Sequence, residues 1–132
     1  MEDKVQKEEM LYRAIKRSKP EWLNDEGLPA SYMFKDLNGN SVDRDDNRPL
    51  IEIIQFMSNG VFKKRLKGVV EINAGECMKI GTSVEAAPTE SNPYHANIVI
   101  DNNEVIGNLQ ALLLADASKV VYMDPIMKWV QT

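Results

Sequence analysis

In residues 94–100, Ala96, Ile98 and Ile100 alternate with His95, Asn97 and Val99. This period of two places one set on each face of an extended strand and predicts a strand over 94–100. A second signal of the same kind is Gly68-Val69-Val70-Glu71-Ile72, which is short, β-branched and bounded by Gly and Asn, and predicts a strand over 68–72. Residues 82–86, stopped by Pro88, and residues 119–122 read as further strands. A sheet is therefore the frame of the chain.

Two stretches carry the longer helical period. Leu50, Ile53, Ile54 and Met57 share one helix face, with Pro49 at the start and Asn59-Gly60 at the end. Ile106, Leu109, Leu113 and Ala117 mark a second amphipathic helix, which Asp101-Asn102-Asn103 separates from the preceding strand by a turn. Between them Asn73 caps a short helix over 74–80 that Gly81 closes. Pro20 begins a turn-length helical piece through Trp22, a core anchor, and Gly27 with Pro29 stops it. Asn38-Gly39, suited to positive φ at both central positions of a turn, predicts a hairpin joining residues 34–37 to 40–43. Residues 2–18 show a weak helical stripe that reads as a short or frayed helix, while Leu11 to Ile15 reads equally as a first strand.

The order hairpin, helix, strand, short helix, strands, helix predicts an α+β fold: a mostly antiparallel sheet with two main helices packed on it, on one side. With 132 residues the expectation is one domain spanning 1–132, fraying over residues 1–10.

Charge and composition remove several functions. A net charge of −4 argues against sequence-independent nucleic-acid binding. The basic run Lys63, Lys64, Arg65 and Lys67 has only Phe62 as an aromatic neighbour, which suits a solvated sheet edge better than a stacking platform. No apolar run approaches the roughly 20 residues that cross a bilayer, and the opening residues lack the apolar core of a signal peptide. Cys77 is the only cysteine, so no intrachain disulfide can form, and a cytoplasmic location is expected. No strand is followed by a glycine fingerprint, so no cofactor is expected. No metal site is expected either. Asp36, Asn38, Asn40 and Asp43 start like a calcium loop but lack the Gly and the bidentate Glu that complete one, and Asp43, Asp45 and Asp46 read as an acidic helix start.

Two residue pairs are candidate catalytic groups. Cys77, early in a short helix, and His95, at a strand start, would form a thiol nucleophile and its base if their elements were adjacent. Arg13 and Ser41 form the other pair, discussed below.

Taken together, Tyr12-Arg13-Ala14-Ile15, Pro20 with Trp22, Pro29-Ala30-Ser31 followed by Phe34, Ser41-Val42, Gly68-Val69-Val70, Glu76-Cys77 and Pro93 with His95-Ala96 form an ordered set. That set resembles a small uncharacterised bacterial protein family with an Arg-x-Ile start, a Pro-x-Ser-x-x-Phe segment, a Ser-Val strand, a Glu-Cys pair and a late Pro-x-His-Ala strand. The resemblance covers most of residues 11–101 and implies a bacterial source and a free-standing domain, without an activity. The layout of an early Arg strand, a Ser strand with a following helix and a late polar strand is also similar to ADP-ribosyltransferase-like folds. That likeness implies Arg13 holding a cofactor phosphate and Ser41 positioning a ribose; the late strand offers His95 where a catalytic Glu belongs.

The function expected from these readings is a non-catalytic binding or regulatory module of a bacterial cytosolic system, in a stress or defence setting, with a protein partner and an oligomeric state left open. The alternative is a small transferase or hydrolase, either Cys77/His95 nucleophilic or ADP-ribosyltransferase-like through Arg13 and Ser41.

Overall fold

The structure, a computed structural model, describes residues 4–37, 39–60, 62–100 and 106–124. Six strands build one sheet: β1 (Met10–Lys16), β2 (Asn40–Arg44), β3 (Leu66–Asn73), β4 (Ser83–Ala86), β5 (His95–Val99) and β6 (Lys119–Met123). Their order is β4-β5-β2-β1-β3-β6, and every neighbouring pair is antiparallel. Three α-helices join them: α1 (Leu50–Asn59), α2 (Ala74–Ile80) and α3 (Asn108–Ala117). The α+β class is as expected.

The first segment is a strand, and a central one. Leu11, Tyr12, Ala14 and Ile15 are all buried, because β1 has β2 on one side and β3 on the other and packs through both faces. No helix forms over the described residues 4–18. Residues 4–9 are tied down as well: Val5 is buried, Arg44 grips Glu9 through both carboxylate oxygens at 2.8 and 2.9 Å, and the amides of Ala74 and Gly75 donate to the carbonyls of Glu9 and Lys7.

The expected hairpin does not form either. Residues Ser31–Phe34 make a 3-10 turn whose Met33 and Phe34 are fully buried, so Phe34 belongs to the core instead of a strand. Gly39, at φ 97°, still reverses the chain into β2, as its left-handed conformation allows; Asn38 lies outside the described residues. Trp22, in the 3-10 turn Pro20–Trp22, is buried as expected. The cap of α2 is also as expected: the Asn73 side chain accepts from the amide of Glu76 at 3.1 Å, and Gly81 at φ 99° ends the helix.

Helices occupy both faces of the sheet, not one. On the first face Leu11, Ile15, Val42, Ile72, Ala96 and Ile98 pack against Trp22, Phe34, α2 and α3. On the other, Tyr12, Ala14 and Val69 pack against Ile53 and Met57 of α1. The stripe expected on α1 is the buried one, with Leu50 and Ile54 flanking it. That of α3 is not. Ala111, Leu114 and Ala115 face inward while Leu109 is 63% exposed, because the run 112–114 is leucine in every phase and the small alanines let the helix approach the 3-10 turn at Met33 and Phe34. Residues 101–105, where a turn is expected, lie outside the described residues. The run at Lys63 to Lys67 leads into β3, an interior strand with partners on both sides, so it does not guard a sheet edge.

Candidate functional site in the open half of the sheet

Because α1 covers only the β1 and β3 side of its face, the β2 and β5 side stays open. Strand parity decides what lies there. Val42 and Ala96 are buried on the closed face, so their neighbours Ser41, Asp43, His95 and Asn97 turn to the open one. Register aligns Lys119, Glu71, Tyr12, Asp43 and His95 as one row across five strands. The Tyr12 hydroxyl donates to Glu71 Oε2 at 2.7 Å, which, with burial, raises the phenol above its ordinary pKa.

Asp43 and His95 are opposite one another on β2 and β5. The amide of Arg44 donates to the carbonyl of Tyr94 at 2.9 Å, so the ladder bonds flank this pair instead of joining it. Such non-hydrogen-bonded pairs bring their side chains closest. Even so, the two groups are not bonded to each other. Asp43 accepts from Asn92 Nδ2 at 2.9 Å, and Asn92 in turn is fixed by accepting from the amide of Tyr94 at 3.0 Å. His95 Nδ1 lies 2.8 Å from the carbonyl of Ala87. A carbonyl only accepts, so Nδ1 carries a proton and the neutral ring keeps its lone pair on Nε2.

Asp43 is 6% exposed, and burial pushes its carboxyl above the ordinary value against the opposing pulls of the Asn92 hydrogen bond, Arg48 and His95. No cationic nitrogen among the described residues comes within 4.0 Å of it. Arg48, whose charge acts on Asp43, donates to the carbonyls of Asp45 and Arg44 and lies 3.5 Å over the Tyr94 ring.

A cavity of about 360 Å³ opens beside these groups, with Tyr12, Ser41, Asp43, Asn92 and His95 in its wall, Arg13, Lys16 and Asp36 also lining it, and Met57 and Phe62 adding apolar surface. Its origin is a split in the sheet. Strands β1 and β2 pair only at Leu11 with Arg44 and Tyr12 with Asp43. In a continued ladder the Ser41 carbonyl would take the Ala14 amide. Instead Arg13 Nη1 donates to that carbonyl at 2.8 Å and Nε donates to the Met33 carbonyl at 2.9 Å. The guanidinium plugs the split from the closed face, under Trp22 at 4.5 Å, with Asp36 at 3.6 Å from Nη2. Burial pushes the Arg13 pKa down to about 10, partly offset by Asp36, so it stays charged at neutral pH.

The expected pairs fare differently. Cys77 and His95 are not brought together: Cys77 is fully buried in the cluster that contains Ala96, and His95, one residue away from Ala96, faces the other side of the sheet. Burial pushes the Cys77 thiol up to about 12, the opposite of activation. Arg13 and Ser41 do meet, but through the Ser41 backbone: the guanidinium is buried, with Nη1 and Nε on carbonyls and Nη2, near Asp36, without a hydrogen bond among the described residues. The calcium-loop residues do not converge: Asn40 and Asp43 point to opposite faces of β2, and Asn40 Nδ2 donates to the Phe34 carbonyl. Among the described residues no three His, Cys, Asp or Glu side chains gather around a metal position. No described helix is long and apolar enough to cross a membrane.

Reading residue by residue missed Asp43 as the neighbour of His95. The usable signal was parity, since each polar residue sits one step from a buried apolar one on its own strand. Compared with known proteins, the chain matches no family model, no curated protein and no solved structure.

Proposed function

We propose that this chain is a non-catalytic binding module that holds a small ligand in the cavity between β1, β2 and β5. One observation carries the reading: Tyr12, Ser41, Asp43, Asn92 and His95, from three strands and the loop before β5, converge on a single opening with an apolar wall of Met57 and Phe62. A volume of about 360 Å³ lies in the range of roughly 300–1,000 Å³ typical of small-molecule sites, and a few placed polar groups on an apolar lining are their usual composition. In this reading the module is regulatory, and the protein partner expected in a bacterial cytosolic stress or defence system reads the occupied cavity.

The test is a protein-observed NMR screen with mixtures of small polar metabolites. Amide resonances of Ser41, Asp43, Asn92 and His95 should move together and saturably with a hit. Hits whose shifts all fall elsewhere, with these four unmoved, would sink the reading.

His95 supports a second reading, an enzyme that transfers a proton through Nε2, because the Ala87 carbonyl holds the other ring nitrogen in its protonated form. Here a bound metabolite is converted, and His95→Gln stops conversion while binding persists. Recovery of every hit unchanged after prolonged incubation removes this alternative.

A further inference from the structure

A second cavity, of about 290 Å³, lies on the α1 side of the first and shares Asp43, Met57, Phe62, Ser91 and Asn92 with it, adding Phe56 and Gly60. Asp43 is the only charged side chain in its described wall. The carboxylate therefore sits where the two cavities meet, between a polar opening and an apolar chamber with Phe56, Met57 and Phe62.

We propose that the ligand is a small organic cation, a protonated or quaternary amine on an apolar body, whose charge is held at Asp43 and whose body enters the chamber with Phe56, Met57 and Phe62. The proposal rests on the binding reading above and names the class of ligand.

Three observations support it. First, groups at this end can accept hydrogen bonds: the Asp43 carboxylate, the Ser41 hydroxyl and, in the uncharged ring, Nε2 of His95, so a matching ligand donates. Second, a buried carboxylate without an ion pair costs the fold stability, and burial raises its pKa accordingly. Such a cost is commonly tolerated at functional sites, where a bound cation offsets it. Third, the aromatic and thioether walls of Phe56, Met57 and Phe62 suit the apolar body that carries the charge. The rival ligand, an anion at Arg13 and Lys16, is less well served. Those two cations both face Asp36, at 3.6 and 4.0 Å, and the guanidinium already serves two carbonyls. Lys16 lies roughly 13 Å along β1 from the row at Tyr12, and Nη2 of Arg13, the one nitrogen of that guanidinium without a hydrogen bond among the described residues, is buried beside Asp36.

The experiment titrates labelled protein with phenethylamine, its neutral isostere 2-phenylethanol and the anion 3-phenylpropionate, each to about 10 mM, reading the Asp43 and His95 amides. Phenethylamine should bind saturably, at least roughly tenfold tighter than 2-phenylethanol, and Asp43→Asn should abolish that preference. The Asn variant is suited to folding, since it keeps an acceptor for Asn92 Nδ2 and removes the buried charge; the comparison of three probes on the unaltered protein does not depend on it. Equal binding of amine and alcohol, or tighter binding of the carboxylate, overturns the cation assignment and leaves the binding reading standing. If none of the three moves these resonances while metabolite hits from the screen do, the cation assignment alone falls. If neither the probes nor the screen moves them, both fall.

Discussion

The two faces of the sheet each bury a charge, and they treat it in opposite ways. On the closed face Arg13 is 3% exposed but has two carbonyls, an opposing carboxylate and the Trp22 ring around it. On the open face Asp43 is 6% exposed, with one amide hydrogen bond and no ion pair among the described residues. A buried charge enclosed by several partners is a structural part, because removing it strands the Met33 and Ser41 carbonyls, even though Nη2 of this guanidinium is itself buried without a hydrogen bond among the described residues. One with partners missing beside a cavity is a site for something else to complete. The difference teaches that the same degree of burial can mark a keystone or a receptor, and that the count of partners tells them apart.

The widest predicted effect concerns the closed face. With its thiol pushed up to about 12, Cys77 should carry roughly a thousandfold less thiolate than an unburied cysteine, so a disulfide reagent should label native protein only as fast as it unfolds. Rapid labelling without denaturant would open that face and break the contrast.

Next comes Arg13→Ala, expected to cost about 3 kcal/mol in denaturant unfolding, since it strands the carbonyls of Met33 and Ser41, removes a cation from beside Asp36 and leaves a void under Trp22. Arg13→Lys should recover little of this, because an ammonium cannot span both carbonyls as the planar fork does. A loss below about 1 kcal/mol would mean that the guanidinium is not the plug of the split.

Asp43→Asn should act in the opposite direction and stabilise by roughly 1 kcal/mol at neutral pH. The sign follows from the raised pKa: the folded state holds the Asp43 proton more tightly than the unfolded chain, so ionisation penalises folding above the folded pKa. The penalty fades as pH falls through that value, and the advantage of Asn should fade with it. An Asn variant less stable than the parent at neutral pH would show that the carboxylate has the partners here said to be missing.

The smallest effect is that of His95→Ala, at about 0.5 kcal/mol, because a half-buried ring loses one hydrogen bond to the Ala87 carbonyl. A cost above about 2 kcal/mol would make His95 a structural residue like Arg13 and shift the boundary between the two regions.

Much of this architecture was legible beforehand where the signal was local. The alternation around Ala96 and Ile98, the β-branched run at Val69 and Val70, the cap at Asn73 and the stripe of Ile53 and Met57 each depend on neighbours within a turn or two of chain. The failures were of another kind. The run around Leu112 is apolar in every helical phase, so only contact with Met33 and Phe34 chose Ala111 and Leu114 as the inner side. Asn38-Gly39 carried a hairpin signal, yet Phe34 is fully buried in a 3-10 turn packed against α3, a long-range contact that no local pattern encodes.

By itself, then, the sequence determined β3 to β6, α1 and the capped helix α2, because hydrophobic period and capping chemistry act over a few residues. Only the tertiary structure decided which side chains meet. Pairing β2 with β5 set Asp43 against His95 and sent Cys77 to the opposite face, and the early end of the β1–β2 ladder opened the cavity that Arg13 closes from below. The physical reason is that register has a period of two: a shift of one residue exchanges the two faces, and long-range pairing alone selects between them.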